Sequence, residues 1–366
     1  MEKKKTKLQL AQEKAQVAIN RTNEKIGELG EYTLRLHDAL TTIQEQFDSI
    51  RNIPSDKKFE YEQLKEIRLN WKQQAEKIDK EYKKAAVKGT GGAGAGVAAG
   101  IGVAALGPTA AMGIATTFGV ASTGTAISTL SGAAATNAAL AWLGGGALAA
   151  GGGGMAAGNA FLAMAGPVGW AIAGVALISS GLFMWKASSE KKRLESIYMA
   201  ISQRDIMSYE ASIVELNERI TRIENEAGLL EEAIKEIDKF GLDYSKMSEK
   251  QQYVLGSYVN LMSSSTQLLV NPIKGIQPKF GNANLEDYLK NENEKWLEWK
   301  RNIVVSLANL LYKIELDDKD KKLLFKSFKK NNKFLESANI PKKEFVDSIM
   351  DDVQGALEVT YNSVGL

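Results

Sequence analysis

The apolar positions of residues 187–240 recur in alternating steps of three and four along the whole segment. Such a heptad pattern places the apolar side chains on one face of a helix that lies along a partner helix. The segment therefore predicts one helix of roughly 80 Å, at about 1.5 Å per residue, which ends at Gly241. Its predicted buried face consists of Ile206, Tyr209, Ile213, Leu216, Ile220, Ile223, Ala227, Leu230, Ile234 and Ile237.

Residues 4–52 show the same pattern and predict a second long helix, which Pro54 terminates. Another amphipathic helix is predicted over 55–88, running directly into the segment that follows. The predicted buried face of the first of these helices is Ile26, Leu29, Thr33, Leu36, Leu40, Ile43, Phe47 and Ile50, and that of the second is Leu64, Ile67, Trp71, Ala75, Ile78, Tyr82 and Ala85.

The C-terminal third also has helical periodicity. Ser248 and Gln251 form a capping-box sequence that starts a helix reaching about residue 270. No segment alternates with the period of two that is typical of strands. The sequence therefore predicts an all-α fold in which long amphipathic, coiled-coil helices form an elongated bundle. The remaining predicted helices cover 284–316, 318–336 and 342–361.

The distribution of charge changes this picture, because residues 89–185 contain 97 consecutive positions without Asp, Glu, Lys, Arg or His. In an average soluble sequence, roughly a quarter of the residues in such a window would be charged. Gly and Ala fill 52 of these positions, and only residues 168–185 have the Leu, Ile, Val and Phe density of a strong membrane span. The segment, here named the apolar block, is long enough for two to four crossings of about 20 residues each. Its weak apolarity favours conditional insertion from a soluble state.

Small residues recur every four positions in the apolar block, and in a helix such positions share one face. Small residues on a shared face allow close approach of two helices in lipid, as in a glycine zipper. The alternative interpretation is a flexible glycine linker, and the runs of consecutive Gly favour turns. The predicted membrane-insertion residues in these ladders are Gly92, Gly96, Gly100, Ala104, Gly154 and Gly158.

Three tryptophans join the predicted insertion residues. Trp185 directly precedes Lys186, a pair typical of a bilayer interface, whereas Trp142 and Trp170 fit either lipid contact or ordinary packing. Lysines flank the block on both sides, which predicts that both ends stay on one side of the membrane and that crossings are even in number. The candidate polar or lumen-facing residues are Thr116, Thr117, Thr123, Thr125, Ser128, Thr129 and Asn137.

The remaining composition excludes several kinds of chemistry. The chain has no Cys and one His, so thiolate metal sites, disulfides and a His-rich active site are excluded. Gly89–Gly94 fits a dinucleotide-binding glycine pattern only through its composition, since no strand precedes it. His37 is expected to be a surface or seam residue. We therefore expect no enzyme activity, no catalytic residue, no metal and no cofactor, and the net charge of +2 does not favour nucleic acid as a partner.

The basic segment 319–335 allows two interpretations. Leu324, Phe325, Phe328 and Leu335 alternate there with lysines. A basic amphipathic helix can lie on anionic lipid. A solvated helix with its apolar face in the core is the favoured interpretation.

The order of helices and apolar block resembles the α-helical pore-forming toxins of the cytolysin A type and the related enterotoxins. This resemblance implies a rod of helices 4–52, 55–88 and 187–240, with the insertion at 89–185. The glycine texture of the block is similar to the glycine-zipper segments of bacterial membrane-active effectors. The expected organisation is N-terminal coiled-coil helices (1–88), a membrane-insertion segment (89–185), a long heptad helix (186–241) and a helical C-terminal region (242–366).

The function expected from these features is insertion of the apolar block and oligomerisation into a pore, as a toxin or as an effector acting on the producer's own membrane. The expected partners are a lipid bilayer, further copies of the chain and companion protein components. The start of the sequence has no apolar export signal, so the expected state is soluble, cytoplasmic or secreted by a non-classical route, before conversion to a membrane-bound form. The alternatives are a permanently anchored coiled-coil scaffold or sensor, and a soluble protein with a tight Gly/Ala core.

Overall fold

The computed structural model describes residues 7–89 and 188–364, apart from 272, 274, 276–278, 291–295, 331–334 and 336–340. The described residues are mainly helical, and they include no β-strand and one isolated bridge, between Arg51 and Asp243. The all-α prediction is confirmed. The helices are α1 (Lys7–Ser49), α2 (Ser55–Gly89), α3 (Ser188–Ile237), α4 (Glu249–Val270), α5 (Asn282–Leu289), α6 (Glu298–Leu311), α7 (Asp318–Lys330) and α8 (Ser348–Val364), with a short 3₁₀ turn at Tyr244–Lys246.

The two longest helices, α1 and α3, pack against each other and run in the same direction. Polar pairs that cross between them join residues of α1 to residues 188 to 196 positions later in the chain. Arg21 pairs with Glu210 near one end of the two helices, and Gln46 donates to Asp238 near the other. The residue numbers of the two partners therefore increase together along the contact, so α1 and α3 are parallel.

Two further helices return along this pair. In α2, Arg68 donates to Gln44 of α1 and Lys65 contacts Asp48, so α2 runs antiparallel to α1. In α4, contacts to Glu226 and Glu236 show the same relation to α3. Tyr258 donates to Glu236, and Ser265 donates to Glu226. Because α2 also packs against α4, the four helices lie side by side, with α1 and α3 running in one direction and α2 and α4 in the other.

The predicted apolar faces form the first core between these helices. Every seam residue predicted for α1, from Ile26 to Ile50, is buried. Most of the seam predicted for α3 is buried as well, with Ile206 and Ile234 only partly covered. Burying these side chains stabilises the fold by roughly 25 cal/mol for each Å² of apolar surface removed from water. The heptad pattern therefore identified the packing faces correctly.

A second core lies at the α1 N-terminus and the start of α3. Leu8 of α1 and Leu194, Ile197 and Tyr198 of α3 are buried there against α5 to α8. Within the basic helix α7, Leu324 and Phe328 are buried in this core, which supports the interpretation of the helix as a packed amphipathic element. The second core therefore surrounds the first turns of α3.

The predicted single helix over 284–316 is wrong, because the chain forms two helices, α5 and α6. Trp296 lies between them, is buried, and packs edge-on against Tyr288 at 5.9 Å between ring centroids. The interruption allows α5 and α6 to pack separately against α8. The last helix also begins later than predicted, at Ser348, because Phe345 first enters the core and stacks on Phe325 at 5.2 Å.

Candidate functional site

The residues predicted for membrane insertion and for a polar lumen lie outside the described part of the chain. What the structure gives is the position of the two helices that the apolar block connects, α2 before it and α3 after it. The insertion residues concerned are Gly92, Gly96, Gly100, Ala104, Trp142, Gly154, Gly158, Trp170 and Trp185, and the polar set is Thr116, Thr117, Thr123, Thr125, Ser128, Thr129 and Asn137.

Both ends of the apolar block lie toward the same end of the four-helix packing, at different levels along the helices. The α2 helix runs opposite to α1 and α3 runs along it, so the last residue of α2 and the first residue of α3 lie toward the α1 N-terminus. His37 of α1 contacts Trp71 of α2, with ring centroids 5.7 Å apart. From Trp71, α2 continues for 18 residues to Gly89, or about 27 Å at 1.5 Å per residue. Gly89 therefore lies near the level of residues 19–20 of α1.

The start of α3, where the chain leaves the apolar block, is fixed by charged groups. Arg193 contacts the carboxylates of Asp317 and Asp320, and these hydrogen bonds raise the pKa of the Arg193 guanidinium. This partly exposed cluster adds modest stability. Beneath it, Leu194 and Tyr198 are fully or almost fully buried in the second core. The apolar block is therefore followed by α3, whose first turns are packed into the second core.

Arg204 and Asp205 attach α3 to the C-terminal end of α6. Arg204 Nη1 donates to the backbone carbonyls of Leu310 and Tyr312 at 2.9 and 2.6 Å. Cations are favoured at helix C-termini, where carbonyl groups lack helical partners. Nε and Nη2 of the same guanidinium donate to Asp205 Oδ1 at 2.9 and 2.6 Å. Burial raises the pKa of Asp205, and its Oδ2 atom has no hydrogen-bond partner.

This attachment was not predicted from the sequence. Asp205 stands inside the apolar seam of α3, but neither its burial nor its connection to α6 follows from helical periodicity. The partner carbonyls lie 106 and 108 positions later in the chain. A charged pair at adjacent positions of a helix is most often a solvated pair. Arg193, Arg204 and Asp205 were therefore missed.

A second buried polar group lies between α1 and α2. The rings of His37 and Trp71 are in contact, and both residues are buried, so the expected seam position of His37 is correct. Arg68, only 4% exposed, donates to Gln44 Oε1 at 2.9 Å, while its Nη1 atom has no partner. Burial lowers the pKa of Arg68 to about 10 and also lowers the pKa of His37. A further positive charge at this seam would be unfavourable.

We expect folding stability to fall as the pH is lowered below about 6.5, the ordinary pKa of histidine. The unfolded chain binds a proton at His37 in this range, whereas the folded chain, with its lowered pKa, resists protonation. Burial of the ring opposes the new charge most strongly, and the charges of Lys72 and Arg68 add to this effect; the hydrogen bond to the Asp38 carboxylate, 3.4 Å from Nδ1 and 70% exposed, offsets it only in part. Urea unfolding between pH 7 and pH 5 measures the loss.

The matched variant for this prediction is His37→Gln, which cannot titrate. Carboxylates elsewhere affect both proteins alike over this range, so the difference between the two pH profiles belongs to His37. The variant should lose less stability on acidification than the unmodified chain. Identical profiles would contradict the prediction.

Two other kinds of site, a metal centre and a membrane-spanning helix, are absent from the residues that the structure describes. Among them, no group of three or more His, Asp or Glu residues is arranged to hold a metal ion. No described helix combines the length and apolarity needed to cross a bilayer. An open groove between α1 and α3 contains Arg35 and Glu231, which form a bidentate ion pair at 2.7 and 2.8 Å. This pair joins the two helices across the groove.

Comparisons of the chain with protein-family models, with curated proteins and with solved structures give no match. The resemblance to α-helical pore-forming toxins therefore rests on the order of the helices and the apolar block alone.

Proposed function

We propose that this chain is a membrane-active protein that inserts its apolar block, residues 89–185, and oligomerises into a pore. The observation that carries the proposal is the position of this charge-free segment. It connects α2 to α3, and the last residue of α2 and the first residue of α3 both lie toward the α1 N-terminus. A segment with both ends on one side can enter a bilayer as one or more hairpins while the helices stay outside.

In the proposed mechanism, the apolar block is covered by the protein in the resting state and leaves it on contact with lipid, a companion component or another protomer. The four-residue ladder around Gly96 then brings inserted helices close together. Hydroxyl and amide side chains such as Thr123, Ser128 and Asn137 face an aqueous lumen or each other. The block gains little from hydrocarbon per residue, which makes assembly the step that stabilises insertion.

The attachment of α3 gives this mechanism a fixed base. Arg193 and Arg204 connect the first turns of α3 to α6 and α7. A pull on the block from the membrane is therefore opposed by packing in the second core as well as by these contacts. The packed helices can therefore approach the membrane together with the block while the first turns of α3 stay folded.

Dye release from liposomes, with fractionation of the same sample, tests the proposal. A conditional pore former is recovered in the soluble fraction without lipid, moves to the liposomes, and releases their contents. A permanently anchored scaffold or sensor is recovered only with membranes and releases no dye. A protein that stays soluble and leaves the liposomes intact would refute membrane activity under those lipid conditions, which should include neutral and anionic bilayers.

We expect Gly96→Leu to prevent assembly while retaining membrane binding. A leucine side chain blocks close approach at the ladder, although it raises helix propensity by roughly 0.8–1 kcal/mol relative to Gly. Chemical crosslinking of membrane-bound protein, together with dye release, measures the two properties. If Gly96 belongs to a flexible linker, oligomers and leakage will be unchanged. Gly96→Ala is the matched control, since it adds one methyl group only.

A further inference from the structure

An exposed apolar patch lies on α1 and α3, near the end that carries the apolar block. Ten large apolar side chains are more than two fifths exposed in the described part of the chain. Four of them form this patch. They are Leu10, Val17, Met207 and Val214, with 46, 57, 74 and 68% of their surface exposed. Single exposed apolar residues are ordinary, whereas a group on one surface marks an interaction site.

The cross-helix ion pair between Arg21 and Glu210 shows that these side chains share one surface. The two groups lie 2.7 Å apart and are about half exposed, so they mark the outer side of the α1–α3 contact. Positions three and four apart in a helix are neighbours on its surface. Val17 precedes Arg21 by four positions, while Met207 and Val214 flank Glu210 at three and four. Leu10 lies seven residues before Val17 and extends the patch toward the α1 N-terminus.

The patch also lies between the two points where the apolar block joins the described helices. Gly89, at the end of α2, is near the level of residues 19–20 of α1, and hence of Glu210, the partner of the nearby Arg21. Ser188, at the start of α3, is 22 residues below Glu210, or about 33 Å along the helix. Met207 lies within this interval and Val214 just above it. The block must connect these two levels, and the patch runs along about half of the distance between them, on the side nearer Gly89.

We propose that the apolar block docks on this patch in the resting state. The inference rests on the proposed function, since it identifies the surface that covers the block before insertion. A segment attached at both ends near its docking surface has an effective concentration in the millimolar range or above, so even a weak apolar contact is occupied. The absence of charge from residues 89–185 suits a contact with aliphatic side chains. A second copy of the chain lacks this advantage of attachment.

A photocrosslinker at position 207 tests the docking in the full-length chain. The sequence has no Cys, so Met207→Cys provides a single attachment point for a benzophenone maleimide. Trypsin then releases the apolar block as one peptide, residues 89–186, and the labelled position within residues 205–219. Val214→Cys places the label on the same peptide and provides an independent attachment point. Tyr253→Cys on α4, 80% exposed and near the opposite end of the helices, is the matched control.

We expect labels at positions 207 and 214 to crosslink to peptide 89–186 of the same chain. These crosslinks should be at least about tenfold more abundant than those from position 253. A tenfold ratio corresponds to a free-energy difference of about 1.4 kcal/mol. Circular dichroism establishes that each labelled chain is folded. Crosslinks between two chains would assign the patch to a second copy, and yields equal to the control would remove the docking; either result overturns the proposal. Dye release by the unlabelled chain separates the two hypotheses: leakage without these crosslinks refutes the docking alone, and crosslinks without leakage under any tested lipid condition refute the pore alone.

Discussion

A chain without residues 89–185 should retain its helices and lose all leakage activity. The described helices bury their apolar faces against each other and against the second core, so their packing does not depend on the block. The apolar block is the longest charge-free segment of the sequence and the proposed membrane-inserting element. Removing it takes away the whole of the proposed membrane-inserting segment. Dye release should therefore fall to the level of liposomes without protein.

The linker in this deletion has to be chosen from the structure. The ends to be joined are separated by about 30 Å along the helices, at 1.5 Å per residue. A flexible Gly/Ser linker of about 12 residues can span this distance, at no more than about 3.3–3.6 Å per residue. Circular dichroism and thermal unfolding establish that the shortened chain is folded. Continued dye release by a folded deletion variant would show that another part of the chain acts on the membrane.

Trp71→Ala should destabilise the protein by about 3–5 kcal/mol, the usual cost of truncating a buried tryptophan. Trp71 is 0% exposed, belongs to the first core, and contacts His37 of α1. Its Nε1 atom has no hydrogen-bond partner, so the loss comes from packing and the resulting cavity. Urea unfolding followed by circular dichroism measures the change, since the variant removes one of the tryptophan fluorophores.

Leu69→Ala is the control on the same helix, two residues away. Leu69 is 52% exposed, so its truncation should change the free energy of unfolding by no more than about 0.5 kcal/mol. Two variants of equal stability would show that α2 is not packed against α1 in solution. Such a result would also remove the basis for the expected pH dependence of His37.

The sequence predicted the long helices well because their signals are local. Residues three and four apart determine one face of a helix, and Leu36 or Leu216 is buried wherever that face finds a partner. The capping box at Ser248 and Gln251 was predicted for the same reason and is present. The interruption between α5 and α6 was missed, because it depends on Trp296 and on packing against α8.

The candidate site was less predictable from local sequence patterns than the long helices were. The contrast in charge that defines the apolar block is visible in the sequence, and the role of Gly96 and its neighbours stays a prediction. The common end of α2 and α3 follows only from the directions of the helices, which apolar periodicity does not encode. The bonds of Arg204 to the end of α6 depend on residues more than 100 positions away. Long-range polar contacts of this kind carry no periodic signal.

The parallel pairing of α1 with α3 also determines the order in which the protein can be completed during synthesis. The residues of α1 that pair with α3 or its C-terminal end, such as Arg21 and Gln46, meet partners that are translated 188 to 196 positions later. At about 5–20 residues per second this delay lasts about 10–40 seconds. The apolar block is translated within that interval, after α1 and before its main partner. The nascent chain therefore presents its most apolar segment to ribosome-associated factors and to nearby membranes while the helix pair is half complete.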